Sequence, residues 1–294
     1  MTTETQQGWS VVVLGTAQDG GIPHAGCRCP ACIRARRESS FRRLVASLAL
    51  LSWETGDYYL FDATPDLPEQ MTLIADWHPK ARLAGIFLTH AHIGHYPGLM
   101  YLGREAMSTR DVPVYCTATM AAFLAGNAPW SQLVALGNIS LCVLGRDTPF
   151  SLAADLTVTA LPVPHRNEFA DTVGYIIETG NRRVLYIPDV DSWAAWDRDL
   201  LSVLANVDVA LLDGTFFSDG ELAARGRDMA EVPHPRVQDT VERILAGRAR
   251  NETACARVFF THLNHTNPLL DSNSSEHRWL RAYGFGLATD GETI

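Results

Sequence analysis

The sequence predicts an α/β fold of the αββα type, in which two mixed β-sheets pack face to face and helices cover the outside. Three observations support this prediction: short apolar runs occur in both halves, helical patterns separate some of them, and no low-complexity linker divides the chain. Short runs bounded by turn residues are typical of strands, and runs in both halves favour two sheets over one. We therefore expect residues 1–294 to form one domain.

The strand predictions rest on apolar runs of strand length that are flanked by glycine, proline or short polar residues. In chain order, the predicted strands are Ser10–Leu14, Ser47–Trp53, Tyr58–Asp62, Gly85–Leu88, Val112–Cys116, Ser140–Leu144, Leu156–Leu161, Val173–Glu178, Arg183–Ile187, Val207–Leu212 and Val258–Thr261.

The helix predictions rest on apolar residues that recur with helical spacing between those strands. In chain order, the predicted helices are Cys29–Glu38, Pro68–Trp77, Gly98–Met107, Thr117–Ala125, Arg198–Ala205 and His234–Leu245, whereas Trp193–Leu200 is ambiguous. The loops Val163–Asp171 and Phe216–Pro233 are long enough to suggest a functional role.

Charge and composition narrow the range of partners. The chain has 24 basic and 33 acidic residues, which give a formal net charge of −9. Its densest basic segment, Arg34–Arg37 with Arg42 and Arg43, is best interpreted as a solvated helix face. A basic footprint for nucleic acid or an anionic membrane is missing, so we expect a small-molecule substrate. Homodimer formation stays open.

The N-terminal residues 1–8 are polar and lack the features of a secretory signal. No apolar stretch approaches the roughly 18 residues that cross a bilayer. These observations predict a cytoplasmic location.

Three histidines within six residues form the strongest chemical signal in the chain. His90 and His92 lie two apart, directly after the apolar run Gly85–Leu88, and His95 follows three residues later. Side chains two apart in an extended segment face the same side, so the imidazoles of His90 and His92 can reach one ion. Because core filling rarely explains so dense a group of histidines, the segment predicts a metal site at the rim of a sheet.

The segment Thr89–His95 resembles the His-x-His-x-Asp-His motif of the metallo-β-lactamase superfamily, and further matches follow in order. Asp62 resembles the strand-end aspartate that supports a metal histidine from behind. Asp189 resembles the aspartate that bridges two metals and takes part in catalysis. The resemblance implies the metallo-β-lactamase fold. The implied active-site ligands are His90, His92, His95, His165, Asp189 and His262.

Within this superfamily, the chain is similar to the coenzyme PQQ synthesis protein B family. The segments Gly26–Cys32, Leu211–Asp219 and His262–Asp271 match that family's signatures. The chain is also similar to the cyclic-phosphate phosphodiesterase of phosphonate breakdown, which shares the Cys-x-Cys-x-x-Cys spacing.

Gly94 stands where the superfamily motif has its aspartate. Typical members of the PQQ synthesis protein B family depart in the opposite way, at the two leading histidines. The implied ligands are His90, His92 and His165 for a first ion, and His95 and His262 for a second, with Asp189 between them. Loss of a hard carboxylate weakens only the second position, so we expect the first to be the occupied one. We also expect Gly94→Asp to raise occupancy of the second.

Two other aspartates could replace the missing carboxylate. They are Asp19 and Asp171, although an ordinary loop aspartate is the commoner interpretation of each. A single ion held by three histidines and one aspartate leaves positions open for water, which suits Zn²⁺, Mn²⁺ or Fe²⁺.

A second metal site, a zinc knuckle, is predicted at residues 24–33. Its three thiolates belong to Cys27, Cys29 and Cys32. A tetrahedral structural zinc needs four ligands, and the phosphodiesterase resemblance implies His265 as the fourth. His24 competes because it is close in sequence. A closed site of this kind would tie the N-terminal loop to a late loop.

His234 is the candidate general acid. It occupies the region where the phosphodiesterase has a histidine that protonates the leaving group, and a capping or surface histidine is the alternative interpretation. Asp213 and Asp219 flank a Gly-Thr-Phe-Phe segment that we expect to line the pocket. Apolar walls could come from Trp130, Tyr96 and Phe217, each of which also fits the core.

Three functions follow from these residues. The first is a metallo-hydrolase that uses metal-bound hydroxide on a small phosphodiester, ester or lactone-like substrate. The second, implied by the PQQ-synthesis resemblance, is a mononuclear iron oxygenase in cofactor biosynthesis. The third is a non-catalytic metal-binding or carrier protein. The metal content distinguishes these classes.

Overall fold

The computed structural model describes residues 8–180, 182–222, 232–250 and 256–294, which form two β-sheets with helices outside. The first sheet has six strands in sequence order. They are β1 (Trp9–Gly15), β2 (Ser47–Ser52), β3 (Asp57–Phe61), β4 (Arg82–Phe87), β5 (Val112–Cys116) and β6 (Ile139–Val143). β1 to β3 pair antiparallel and β3 to β6 pair parallel, so the sheet is mixed.

The second sheet has seven strands in the order β13-β12-β11-β10-β9-β8-β7. They are β7 (Pro149–Ala153), β8 (Leu156–Pro162), β9 (Val173–Thr179), β10 (Arg182–Ile187), β11 (Val209–Asp213), β12 (Arg257–Thr261) and β13 (Gly286–Leu287). β7 to β10 pair antiparallel, whereas β10 to β13 pair parallel.

Helices cover the outer face of each sheet. They are α1 (Pro30–Arg37), α2 (Leu67–Trp77), α3 (Ala118–Gly126), α4 (Trp130–Ala135), α5 (Leu200–Leu204), α6 (Val237–Ala249) and α7 (Ser275–Ala282), with 3₁₀ turns at Ser39–Phe41, Pro97–Leu102 and Pro268–Leu270. Every helix within the described residues is too short or too polar to span a membrane.

The core has three apolar layers, one between the sheets and one outside each sheet. In the middle layer, Phe87 stacks on Phe61 and on Tyr115 with ring centroids 5.0 and 4.5 Å apart, and meets the edge of Tyr175 from the opposite sheet. Burying an aromatic or aliphatic side chain of this size contributes about 1.5–3 kcal/mol, so this layer holds the sheets together. The predicted αββα fold class is confirmed.

Several predicted elements differ from the structure. The helix predicted over Gly98–Met107 is only the 3₁₀ turn Pro97–Leu102, because the backbone becomes extended at Gly103, a residue that disfavours helix. The ambiguous segment Trp193–Leu200 forms bends as far as Arg198, and helix α5 begins only at Leu200. Strands β7 and β13 and helices α4 and α7 were not predicted. The predicted loop Phe216–Pro233 lies partly outside the described residues.

Candidate metal centre

The parallel strands of both sheets direct their carboxyl ends to one edge of the sandwich. Asp62 follows β3, the segment Thr89–His95 follows β4, Asp189 follows β10, and His262 follows β12. Functional groups commonly gather where parallel strands end, because the loops there converge. Asp62 and His262 also adopt positive φ values of 71° and 60°, and such conformations persist only where the surroundings impose them.

The first position is formed by His90, His92, His165 and Asp189, whose ligand atoms all lie within 4.8 Å of one another. Asp189 Oδ2 lies 3.3 Å from Nε2 of His90 and 3.3 Å from Nε2 of His165. Nδ1 of His92 lies 2.9 Å from Nε2 of His165. Three imidazole nitrogens and one carboxylate at this spacing could hold a zinc-type cation with positions left for water.

The second position is formed by Asp19, His95 and His262. Oδ1 of Asp19 lies 3.4 Å from Nε2 of His95 and 4.0 Å from Nε2 of His262. Asp189 Oδ2 lies 3.8 Å from Nε2 of His262, so Asp189 stands between the two positions. The structure thus brings together all the histidines and the aspartate that the sequence singled out for the active site.

The histidines on the β4 side are oriented by partners on their second ring nitrogens. Nδ1 of His95 donates to Asp62 Oδ2 at 2.7 Å, and Nδ1 of His90 lies 2.9 Å from Thr89 Oγ1. Thr89 Oγ1 donates in turn to Asp62, whose Oδ1 also accepts from the Thr89 amide. Each bond fixes a ring and leaves Nε2 for a metal, as is usual for metal-binding histidines.

The remaining histidines have partners that the sequence analysis missed. Nδ1 of His165 lies 2.6 Å from Asp191 Oδ1, and Nδ1 of His262 lies 2.9 Å from Thr215 Oγ1. Nε2 of His92 lies 2.9 Å from Glu168 Oε2, which leaves Nδ1 of His92 facing the site. The acceptors Asp191 and Glu168 come two and three residues after predicted ligands, a proximity that could have identified them.

Several of the converging atoms are buried without any hydrogen-bond partner. These atoms are Oδ1 of Asp19, Nε2 of His90, Nε2 of His95, Oδ1 of Asp189 and Nε2 of His262. Buried polar atoms are almost always paired, and an unpaired group implies a missing water or ion. Orphaned acceptors that cluster between carboxylates and imidazoles fit a cation, because all of them offer lone pairs to it.

The electrostatics of the site agree with cation binding. Burial, together with the neighbouring His95, holds the pKa of His90 well below its usual range. Burial also disfavours the charged form of His95, but Asp62 and Asp19 outweigh it and raise the pKa of His95 to about 10. Burial would raise the pKa of Asp189, yet His165 and His262 hold it well below its usual range. Histidine binds a metal through a deprotonated ring nitrogen, so cation binding at His95 would displace any proton from its Nε2.

Of the two loop aspartates considered as replacements for the carboxylate missing at Gly94, Asp19 is the one that lies beside the second position. Asp19 brings its carboxylate from the loop after β1, and a Cβ added to Gly94 would lie 2.1 Å from its Oδ1 and 2.8 Å from its Cα. Gly94→Asp therefore cannot place a second carboxylate there unless the loop moves. Asp171, the other sequence candidate, bonds instead to Thr117, Thr119 and Arg146.

His234 lies beside both positions. Its Nδ1 is 2.7 Å from Asp213 Oδ2 and 3.5 Å from Asp189 Oδ1. Burial disfavours the imidazolium, but Asp213 and Asp189 outweigh it and raise the pKa of His234 to about 9. Asp213 is fully buried against His234, whereas Asp219 is exposed and pairs with Arg236.

The residues of the predicted zinc knuckle lie where the N-terminal loop meets the loop after β12. The ligand atoms that lie within 4.8 Å of one another belong to Cys27, Cys29, Cys32 and His265. Nδ1 of His265 is 3.8 Å from Cys27 Sγ and 3.4 Å from Cys29 Sγ. His24 contacts this group through its ring, 4.7 Å from that of His265, while its Nδ1 lies 3.0 Å from Ala25 O. The geometry thus favours His265 over His24 as the fourth ligand.

The aromatic residues proposed as pocket walls make contacts typical of the core. Tyr96 and Trp130 lie against each other in the layer outside the first sheet, and Phe217 packs against Trp279. Ile93 and Phe169 are exposed apolar side chains next in sequence to His92 and Glu168, and the ring of Phe169 lies 5.5 Å from that of Phe123.

A cavity of about 480 Å³ opens next to Asp19. Its lining includes Arg166, which directly follows His165, and also includes His24, His265 and Phe216. The guanidinium of Arg166 is half-exposed and 3.9 Å from Glu168, so it could meet an anionic group that enters the cavity.

The fold and the histidine–aspartate centre define a class of protein. The sequence matches the family described as Beta-lactamase superfamily domain over residues 57–273, so the chain belongs to the beta-lactamase superfamily.

Within it, the chain belongs with the coenzyme PQQ synthesis protein B sequences. It is 30% identical to the Coenzyme PQQ synthesis protein B of Methylobacterium radiotolerans over 309 residues, which cover 97% of this chain and 99% of that protein. The crystal structure of Zn(2+)-bound PqqB from Methylobacterium extorquens matches with a TM-score of 0.81 at 26% identity and covers 97% of this chain and 99% of that one.

A more distant neighbour shares the fold. The structure of a diphosphatase from the PhnP family matches with a TM-score of 0.66 at 20% identity, and covers 97% of this chain and 96% of that one. The family predicted from the sequence is confirmed.

Proposed function

We propose that the chain is a metallo-hydrolase that cleaves a small, anionic phosphodiester or ester. The observation that carries this proposal is the set of buried, unpartnered ligand atoms that converge from both sheets. A zinc, manganese or ferrous ion bound there would supply Lewis acidity and a water-derived nucleophile at neutral pH.

The residues of the two positions and of the knuckle have different roles in this proposal. His90, His92 and His165 would hold the first ion, and Asp189 faces both positions, so it orients whatever occupies them. The partners on the second ring nitrogens keep each imidazole in its ligating tautomer, which reduces the reorganisation needed on binding. The knuckle ligands would hold a structural zinc, with no open position for chemistry.

His234 would donate the proton to the leaving group. Asp213 holds its Nδ1 at 2.7 Å, so the ring is fixed and its other nitrogen, Nε2, is left to act. Proton donation by a positioned histidine typically accelerates such reactions by about 10²- to 10⁴-fold. Asp189 would orient the nucleophile from its position between the two groups of histidines, which makes it the second catalytic residue of this proposal.

The substrate class follows from the surroundings of the centre. Arg166 supplies a guanidinium suited to a phosphate or carboxylate group, and Phe216 adds an apolar surface to the same cavity. The relatives named for coenzyme PQQ synthesis support a substrate from cofactor biosynthesis, and the diphosphatase neighbour supports phosphoester chemistry.

Metal analysis coupled to turnover tests the proposal. The protein is purified after growth with zinc, manganese or iron, and its metal content is measured beside hydrolysis of bis(4-nitrophenyl) phosphate, 4-nitrophenyl acetate and a simple lactone. We expect metal at the histidines and hydrolysis that fails after chelation. Iron content together with oxygen-dependent turnover would contradict hydrolysis and identify an oxygenase instead. Histidine positions without metal would contradict hydrolysis and indicate a non-catalytic role.

A further inference from the structure

We propose that Asp19 is a metal ligand, which supplies from the loop after β1 the carboxylate that the segment Thr89–His95 lacks at Gly94. This inference rests on the proposed metal centre and adds a ligand to its second position. The usual motif carries histidines and aspartate on one loop, whereas here the carboxylate would come from a chain segment on a different strand.

The space around Gly94 supports Asp19 as the source of the missing carboxylate. An added Cβ at Gly94 would overlap the Asp19 carboxylate, with 2.1 Å to Oδ1 and 2.8 Å to Cα. Asp19 therefore lies directly against the residue that carries the carboxylate in the superfamily motif. A side chain at Gly94 and the present position of Asp19 exclude each other.

The atoms around Asp19 also point to a cation. Oδ1 of Asp19 is buried without a hydrogen bond, and so are Nε2 of His95 and Nε2 of His262. Both histidines are fully buried, and both have Nδ1 engaged by other partners. Three buried ligand atoms that lie within 4.8 Å of one another and lack a well-formed hydrogen bond are arranged as one ion would require.

Backbone pairing fixes Asp19 beside His262. The amide of Leu263 donates to Thr16 O at 2.8 Å, and the amide of Gln18 donates back to Leu263 O at 3.0 Å. The amide of Gly21 closes a turn onto Gln18 O at 2.8 Å. These bonds place Asp19 on a tight turn against the loop after β12, so its position does not depend on the metal alone.

The same two loops also form the zinc knuckle. The loop after β1 continues from Asp19 to Cys27, and the loop after β12 bears both His262 and His265. A zinc that ties Cys27 to His265 would therefore hold the two loops together on one side, while the ion at Asp19 and His262 holds them on the other. The knuckle is thus a positioning device for the second ion.

The test compares wild type with Asp19→Asn, an isosteric change that removes the charge. Both are reconstituted with equal Zn²⁺ or Mn²⁺, and metal per chain is measured by mass spectrometry, with circular dichroism as the check on folding. Asp290→Asn is the matched control, because it removes a carboxylate that bonds to Thr16 on the same loop but lies away from the histidines. We expect only Asp19→Asn to lose about one ion per chain.

Wild-type crystals measured at the zinc absorption edge give a second test that needs no variant. We expect anomalous density between Oδ1 of Asp19, Nε2 of His95 and Nε2 of His262. Unchanged metal content in a folded Asp19→Asn protein, or density at the first position alone, would overturn the role of Asp19 and leave the proposed hydrolase standing. Empty histidine positions in wild type would overturn both.

Discussion

The Oδ2 atom of Asp213 lies 2.7 Å from Nδ1 of His234 at the centre of the candidate site. Asp213 is fully buried and also accepts from the amides of Val190 and Thr215, so its carboxylate cannot turn away. The imidazole of His234 is therefore fixed beside Asp189 by a carboxylate that is itself fixed. A ring held in this way is suited to donate a proton in one direction.

His234→Gln should lower kcat by about 10²- to 10⁴-fold for a phosphodiester with an alcohol leaving group, because that group needs a proton as it departs. A 4-nitrophenolate leaving group needs no proton, so the same variant should lose far less activity on that substrate. Steady-state kinetics on the two substrates make the comparison. Equal losses on both, at unchanged metal content, would contradict the role of His234 as an acid.

Glu168 orients a ligand from outside the centre. Its Oε2 lies 2.9 Å from Nε2 of His92, so Glu168→Ala should free the ring and weaken metal affinity at the first position by about 10- to 100-fold. Glu168→Gln keeps an acceptor oxygen, so its metal affinity at the first position should lie between that of Glu168→Ala and that of wild type. Competition with a chromogenic chelator measures the affinity.

His92→Ala removes the ligand itself, so its loss of metal affinity sets the upper bound for the losses in the two Glu168 variants. If metal content in His92→Ala equals that of wild type, the first position is not where we place it. Affinity for the knuckle zinc should stay constant across all three variants, since none of them contacts it.

Cys29→Ser tests the knuckle. Structural zinc ligands come together only in the folded chain, so the binding free energy contributes directly to folding. The variant should lose about one zinc per chain and melt at least about 5 °C lower. Cys142→Ser is the matched control, because that thiol is half-buried and lies outside the cluster. A Cys29→Ser protein with full zinc content would refute the site.

Much of this site could be predicted from the sequence because its ligands follow strands. His90, His92 and Asp189 come directly after apolar runs, and strands of a two-sheet sandwich end together, so strand-end positions predict proximity. The position of Asp19 could not be predicted in this way. Its approach to Gly94 depends on backbone pairing between the loop after β1 and Leu263, a long-range contact with no local pattern.

The missed elements have similar causes. Strand β7 is mostly exposed and lacks the alternation of apolar and polar residues that marks a half-buried strand. Strand β13 has only two residues and exists because Gly286 pairs with Phe259 of β12. The segment after Pro97 has a helical apolar pattern, yet its turn ends at Gly103, where the backbone is extended.

Arg166→Gln should raise KM for an anionic substrate by about tenfold while leaving metal content unchanged, because it removes one charged contact of about 1.4 kcal/mol. A neutral ester of similar size should show little change, so the ratio of the two KM values isolates the charge. Arg182→Gln is the control, since that arginine is exposed at the start of β10. Equal effects on charged and neutral substrates would exclude Arg166 from substrate recognition.

Asp290 joins three parts of the chain and makes stability depend on pH. Its Oδ1 accepts from Thr16 Oγ1 at 2.6 Å and its Oδ2 from the Leu44 amide at 2.7 Å. Burial outweighs these bonds and raises the pKa of Asp290 from 3.8 to about 6. Between about pH 4 and pH 6 the folded chain therefore keeps a proton that the unfolded chain has released, so the free energy of unfolding falls as the pH rises through this window.

Asp290→Asn should remove the fall in the free energy of unfolding that accompanies the rise in pH. The amide can accept from Leu44 through Oδ1 and donate to Thr16 through Nδ2, so both bonds survive without the charge. The free energy of unfolding of the variant should exceed that of wild type by at most about 3 kcal/mol at pH 7 and by less than about 1 kcal/mol at pH 4. Urea denaturation at each pH measures the difference, in which metal contributions cancel because both proteins bind the same ions. The exposed Asp76→Asn variant should follow wild type throughout. A gap between Asp290→Asn and wild type that stays constant with pH would show that Asp290 does not titrate in this window.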